Sequence, residues 1–391
     1  MPSKSDPPAR SPSRLSVAPI SDARVTGVLV GADADPVSVS FESLSRHLEM
    51  PEHLDGFIAV LLPALLRTDA AVHVSGTLTR EAVRNLIEFS EGWENWNSGR
   101  YHALRLSADR VIDPPLPAFS RRAAFAWSGS LRSTHTLVRH HARRVPGAVG
   151  VARIVHVIGL QGDARTVSTD AIAAEVNKHA ERLGATVECV VTNAREVGLV
   201  EAEMGMLPVV AAALHLTAAD LKLGFHARRW PFSAQLRYPR PDPAFPDLFC
   251  GSRMLIRADG GVTTPTQMVR EILEYAPFLL TAISGCSERP RFTPPCGACS
   301  GCVITSLAFA AAGISHHALP PPAALDVARL QWSDPVVAAE ATEIASDWSN
   351  PGSRAHLALR RRVKSDQTNT TRVEVRRWLA SASGLGPIWP R

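Results

Sequence analysis

Four cysteines fall within one short segment, as Cys286, Cys296, Cys299 and Cys302, in the spacing C-x9-C-x2-C-x2-C. Two residues between cysteines let the backbone curl so that both thiolates face one ion. Gly297 and Gly301 keep those turns free of Cβ clashes. Four thiolates complete a tetrahedral shell and leave no place for water, which points to structural zinc. An iron–sulfur cluster uses the same ligands, and spacing alone does not separate the two. Cys189, on a strand pattern, and Cys250, before a glycine, read as buried apolar fillers.

A second group with chemical potential is Ser128-Gly129-Ser130-Leu131-Arg132-Ser133, followed by Thr134. The apolar segment Ala123 to Trp127 reads as a strand leading into it, and a helix from about Ser133 to Arg144 leads out. Backbone amides of Ser128, Gly129 and Ser130 would then sit at a helix N-terminus, where orphan N–H groups and the helix dipole attract anions. Hydroxyls of Ser133 and Thr134 would add donors. A third group, Thr192-Asn193-Ala194-Arg195-Glu196, ends the strand Thr186 to Thr192. In doubly wound sheets that carboxyl edge is where ligands bind.

These groups need a scaffold. Val151 to Gly159 and Thr186 to Thr192 read as strands, and Thr169 to Leu183 and Leu207 to Leu216 as helices, with Gly184 a helix stop. Such alternation implies a parallel sheet covered on both faces. Upstream, strands are expected at Arg24 to Val30, Val37 to Phe41 and Val72 to Val74. Helices are expected at Glu52 to Leu66 and from Thr79, whose hydroxyl suits an N-cap. Downstream, Thr266 to Ile283 reads as one helix, and the chain is helical after Pro320. The expected units are a disordered tail over 1–24, an α/β accessory module over 25–118, a main domain over 119–320 and a helical extension over 321–391.

The cysteine motif Cys296-Gly-Ala-Cys-Ser-Gly-Cys302, with the apolar helix that ends at Gly313, resembles the zinc motif of 7-cyano-7-deazaguanine synthases and their QueC-like relatives. The resemblance covers about residues 121 to 315. These relatives are PP-loop ATP pyrophosphatases with a doubly wound parallel (HUP-like) sheet, so that fold is the expectation here. It implies zinc on Cys286, Cys296, Cys299 and Cys302. It implies ATP with magnesium on Ser128, Gly129, Ser130, Arg132, Ser133, Thr134 and Thr192, and a catalytic edge at Asn193 and Arg195. The implied reaction is adenylation of a carboxylate, 7-carboxy-7-deazaguanine or similar, for amide or nitrile formation. Three positions depart from the family pattern. Ser130 replaces a glycine, Arg132 replaces an aspartate, and Gln161 stands where relatives often carry an acid. Arg132 would bring positive charge to the phosphates if the chemistry persists. The alternative is a catalytically degenerate nucleotide- or deazaguanine-binding scaffold subunit of a multi-protein system.

Composition narrows the classes further. The 391 residues are 45% hydrophobic and 20% charged, which supports a real core and excludes a wholly disordered chain. The longest early apolar run, Phe57 to Leu66, contains Pro63 and falls short of the roughly 20 residues a membrane helix needs. No apolar signal segment opens the chain, so a cytoplasmic location is expected. A formal charge of +5, spread along the sequence and almost all arginine, gives no ground to expect nucleic acid as a partner. His135, His140 and His141 share one helical segment and read as a solvated or phosphate-facing surface. The basic run Arg360 to Lys364 reads as a solvated helix face. The sequence does not set the oligomeric state.

Overall fold

Arginine and serine alternate with Leu15 and Val17 at the start of the chain, and this period of two makes a strand. β1 (Ser13–Ser21) turns Ser13 and Leu15 inward and Arg14 and Ser16 to solvent. The disordered tail expected over 1–24 is therefore corrected: its second half is a paired strand. The computed structural model describes residues 12–365, apart from 32–34, 46, 70, 98, 116–120, 162–167, 201–203, 229–230, 232–244, 290–291, 323, 329 and 350.

β1 pairs antiparallel with β2 (Arg24–Val30), and β2 with β3 (Val37–Ser43). Helix α1 (Asp55–Leu65) then returns the chain to β4 (Ala71–Thr79), parallel to β1. Helix α2 (Arg80–Trp96) leads on to β5 (Arg105–Ile112), parallel to β4. Thr79 caps α2, its hydroxyl accepting from the Ala82 amide, as its position suggested.

The second half begins at β6 (Arg122–Ala126) and continues through α3 (Leu131–His141), β7 (Gly150–Ile158), α4 (Thr169–Leu183), β8 (Thr186–Thr192), α5 (Leu207–Thr217), β9 (Leu223–Ala227) and β10 (Leu255–Asp259). Gly184 ends α4 in the left-handed conformation that glycine tolerates best. All four pairings in this half are parallel. β3 and β8 pair antiparallel, so both halves belong to one ten-stranded sheet, ordered β10-β9-β6-β7-β8-β3-β2-β1-β4-β5.

The fold is thus α/β, with a mostly parallel sheet flanked by helices. One core lies under α1 and α5. Helix α1 is apolar all round because the sheet and α5 both cover it, and Gly56 lets it approach the Ala212 backbone. Phe57 is fully buried edge-on to Phe41, at 5.8 Å between ring centres, a burial that stabilises by about 1.5–3 kcal/mol. A second core joins the opposite face of the second half to α3, α4, α6 (Pro265–Tyr275), α7 (Ser300–Ala311), α9 (Pro335–Ser346) and the helical residues 354–365; α8 (Ala324–Ala328) is a short turn beside them.

The helix expected from Thr266 to Ile283 breaks at Ala276. A residue before proline is pushed out of the α region, and Ala276, preceding Pro277, has φ −151° and ψ 62°. A 3-10 turn (Pro277–Ala282) follows. β5, β9 and β10 were not expected. The aromatic- and proline-rich stretch Arg228 to Asp247 reads in the sequence as an ordered loop; most of it, and the chain after 365, lie outside the described residues. Among the described residues no helix is long and apolar enough to cross a membrane.

Candidate metal centre and serine loop

The metal centre is built by a close crossing of backbones. Cys286 follows Gly285, and Gly301 lies in the first turn of α7. Any Cβ on either glycine would strike the other's carbonyl oxygen. Cys299 is the N-cap residue of α7 and Cys302 lies in its first turn, where the helix dipole favours thiolate. Gly297 turns the chain between Cys296 and Cys299 with φ +73°. The four sulfurs lie within 4.8 Å of one another, and Cys296 Sγ is 3.8 Å from Cys302 Sγ. A tetrahedron with metal–sulfur bonds of about 2.3 Å has edges of about 3.8 Å.

Backbone amides already point at the sulfurs. Cys296 N–H donates to Cys286 Sγ at 3.5 Å, and the Ala298 and Cys299 amides donate to Cys296 Sγ at 3.5 and 3.4 Å. Such donors favour the anionic thiolate. The Cys299 thiol is drawn down to about 3, first by its hydrogen bond with Cys302 and further by the backbone and side chain of Ser287. Cys302 moves the opposite way because it keeps the shared proton. Cys286 and Cys302 are buried and Leu319 packs against them, so the site is closed. These residues fit a four-coordinate metal ion such as zinc. Among the described residues no other set of His, Cys, Asp and Glu converges in this way. Cys189 and Cys250 are buried, and burial pushes their thiols up to about 12 and about 11, as inert core groups.

The serine loop follows β6, beside β9, where the strand order reverses. Gly129 adopts φ +70°, and its carbonyl accepts from the Ser284 amide at 2.8 Å. Ser130 is the N-cap of α3, accepting from the Ser133 amide. The hydroxyls of Ser128, Ser130 and Ser133 hydrogen-bond one another at 3.0–3.2 Å. The Ser133 hydroxyl is buried and also accepts from the Ser128 amide at 3.3 Å, so the loop offers the Ser128 and Ser130 hydroxyls and the remaining first-turn amides of α3.

Other expected site residues have different work. Thr134 is fully buried and its hydroxyl accepts from Trp127 Nε1 at 3.0 Å, so it braces the loop from behind. Arg132 turns away to α9: its Nε and Nη2 lie 2.9 and 2.8 Å from Glu340 Oε1. Their side chains are 12% and 15% exposed, so the pair is largely dehydrated and its charge is met within the protein. Thr192 is buried, its hydroxyl accepting from the Ala194 amide. Asn193 extends the β8–β3 ladder, accepting from Ser40 N–H at 2.8 Å and donating to the Ser38 carbonyl at 2.9 Å. Arg195 donates to the Leu160 carbonyl at 2.9 Å. Gln161 reaches Met206 Sδ. The structure thus brings the serines together and engages Asn193 and Arg195 on backbone groups.

Of the expected histidine face, His141 is exposed, whereas His135 and His140 are corrected to buried. His135 meets Glu271 at 2.8 Å on α6, and His140 accepts from the Val149 amide. Burial lowers the pKa of both, against the opposing pull of Glu271 and Asp259 respectively.

One residue was missed. Phe292, between Cys286 and Cys296, has φ +59° and lays its ring edge-on to Trp127 and His156, each 5.1 Å away between ring centres. His156 Nδ1 is itself 2.8 Å from the Trp127 carbonyl. A Cβ built on Gly129 would lie 3.0 Å from Phe292 Cζ. No periodicity or motif marks Phe292, because its role depends on where the cysteine loop lands.

Comparisons with family models, with curated proteins and with solved structures return no match.

Proposed function

We propose that the protein is a QueC-like, PP-loop-type nucleotide binder whose serine loop takes the phosphates and whose four cysteines hold structural zinc. The observation that carries this reading is the serine loop itself: a capped helix N-terminus at the switch point of a parallel half-sheet. Loop amides and the hydroxyls of Ser128 and Ser130 would hold phosphate oxygens by fixed dipoles. The commitment of Arg132 to Glu340 removes a free charge from the loop, and neither group stands in for the aspartate of the resembled family. The preferred reading is therefore the degenerate one, a nucleotide- or deazaguanine-binding scaffold subunit with a protein partner. A reducing cytoplasm suits its six free thiols.

A second reading is favoured by the two serines that match the resembled loop, Ser128 and Ser133: an ATP- and magnesium-dependent ligase that adenylates a small carboxylate. Calorimetry with ATP, paired with a pyrophosphate-release assay over candidate carboxylic acids, tests both. Binding without release is the expected result. Release would replace the first reading with the second, and absence of binding would remove both.

A further inference from the structure

We propose that Phe292 is a metal-tethered cover on the serine loop: the four-cysteine centre holds its ring against Gly129, and an anion gains full access to the loop amides only when that ring withdraws. The inference deepens the nucleotide-binding reading above and rests on it for the identity of the anion.

Three observations converge. First, Phe292 has φ +59°, a conformation that a bulky L-residue keeps only where its surroundings enforce it, and such outliers gather at functional positions. Second, the enforcing contacts are known. The ring lies edge-on to Trp127, at the end of β6, and to His156 on β7, while Cys286 and Cys296 lie on either side of it in the chain. Third, the ring fills the space beside Gly129 where a side chain would otherwise stand. A Cβ on Gly129 would meet Phe292 Cζ at 3.0 Å and Cε1 at 3.2 Å, with the Ala282 carbonyl oxygen also at 3.2 Å. Backbone nests bind phosphate by close approach of oxygens to successive amides. An aromatic edge offers no such partner and excludes water and anion alike.

The cover and the metal centre are one segment of chain, and Ser284, two residues before Cys286, donates to the Gly129 carbonyl. Loss of the metal therefore frees the anchors of Phe292 and loosens the loop together. Metal occupancy becomes a control on anion access as well as a staple.

The test uses the full-length, metal-loaded protein. Amide hydrogen exchange across residues 128–134 is measured for wild type, for chelator-stripped wild type, and for Phe292→Gly, which removes the ring and suits the positive φ. Exchange at Gly129 and Ser130 is expected to rise roughly tenfold or more in the last two. Metal content of F292G, by mass spectrometry, should stay at the wild-type value. Affinity for ATP, by calorimetry, should rise roughly tenfold in F292G. Phe292→Leu, which keeps apolar bulk, should fall between, and serves as the decisive variant if F292G does not fold.

Unchanged exchange in both the stripped protein and the variants overturns the proposal. So does weaker ATP binding in F292G, which would make Phe292 part of the binding surface instead of its cover. Raised exchange with no ATP binding by any form leaves the cover standing and removes the nucleotide reading.

Discussion

Counted outward from the antiparallel join of β3 and β8, the strands of each half run third, second, first, fourth, fifth in their own chain order. The same strand order recurs on either side of the join, although β2 runs antiparallel to its neighbours where β7 runs parallel to its own, and α1 and α5, each linking a third strand to a fourth, pack against each other. The halves differ in how they reach their second and third strands. The first uses hairpins; the second uses helices α3 and α4. Only the second half therefore has a helix starting directly after its first strand, at the switch point.

The fate of the helix starts differs as well. At the start of α2, Asp55 accepts from the Thr79 amide at 2.9 Å and from its hydroxyl at 2.7 Å. Asp55 is 2% exposed, and the Ser252 amide closes the site by donating to Thr79 Oγ1. At the start of α3 the cap is the Ser130 hydroxyl, and Glu340 reaches only the Arg132 side chain. One helix start carries its own anion, and the other is dressed with hydroxyls. The proposed phosphate site uses the second of these starts.

The comparison can be broken most severely at the metal centre. Cys302→Ser should abolish metal binding, measured by mass spectrometry, and lower the melting temperature sharply, since structural zinc contributes about 10–16 kcal/mol in small domains. The next effect is collective and acid-driven. Burial lowers the pKa of His135 and His215, and burial with Arg228 pushes His226 down to about 4 from 6.5. Depressed histidines bind protons more readily when unfolded, so stability is full above pH 6.5 and falls as pH drops towards about 4. Melts across that window check this, and His226→Leu should flatten the fall. Asp55→Ala, which unseals α2, should cost about 3 kcal/mol in denaturant titrations and leave metal content unchanged. Arg132→Ala, which strands Glu340 in a mostly dry site, should cost about 2 kcal/mol, with Arg132→Met milder. Ser130→Ala should cost about 1 kcal/mol as a lost cap, and weaken ATP binding if the loop holds phosphate.

Local chemistry was legible in the sequence. The β-branched run of β8, the glycine ending α4, the Thr79 cap and the cysteine set are each decided by neighbours in the chain. β9 and β10, with five residues each, carry too little pattern to stand out from loops. β1 hid because one of its two inward positions is a serine and the residues between and after them are arginine and serine. What no local pattern contains is distance. Arg132 meets Glu340 208 residues away, and Asn193 meets β3 across more than 150. Charge or hydrogen-bonding capacity marked these residues as interesting, and only the folded sheet chose between a ligand and an internal partner.

The β3–β8 join also has a consequence in time. Phe41 pairs with Thr192, so β3 is made about 150 residues before its neighbour exists. At ordinary synthesis speeds of about 5–20 residues per second, its edge stays open for about 8–30 s. During that interval a row of unpaired N–H and C=O groups flanks Val37, Val39 and Phe41, a template for pairing with another nascent chain. The order of the strands thus sets a period of risk on the ribosome, closed only when the second half arrives.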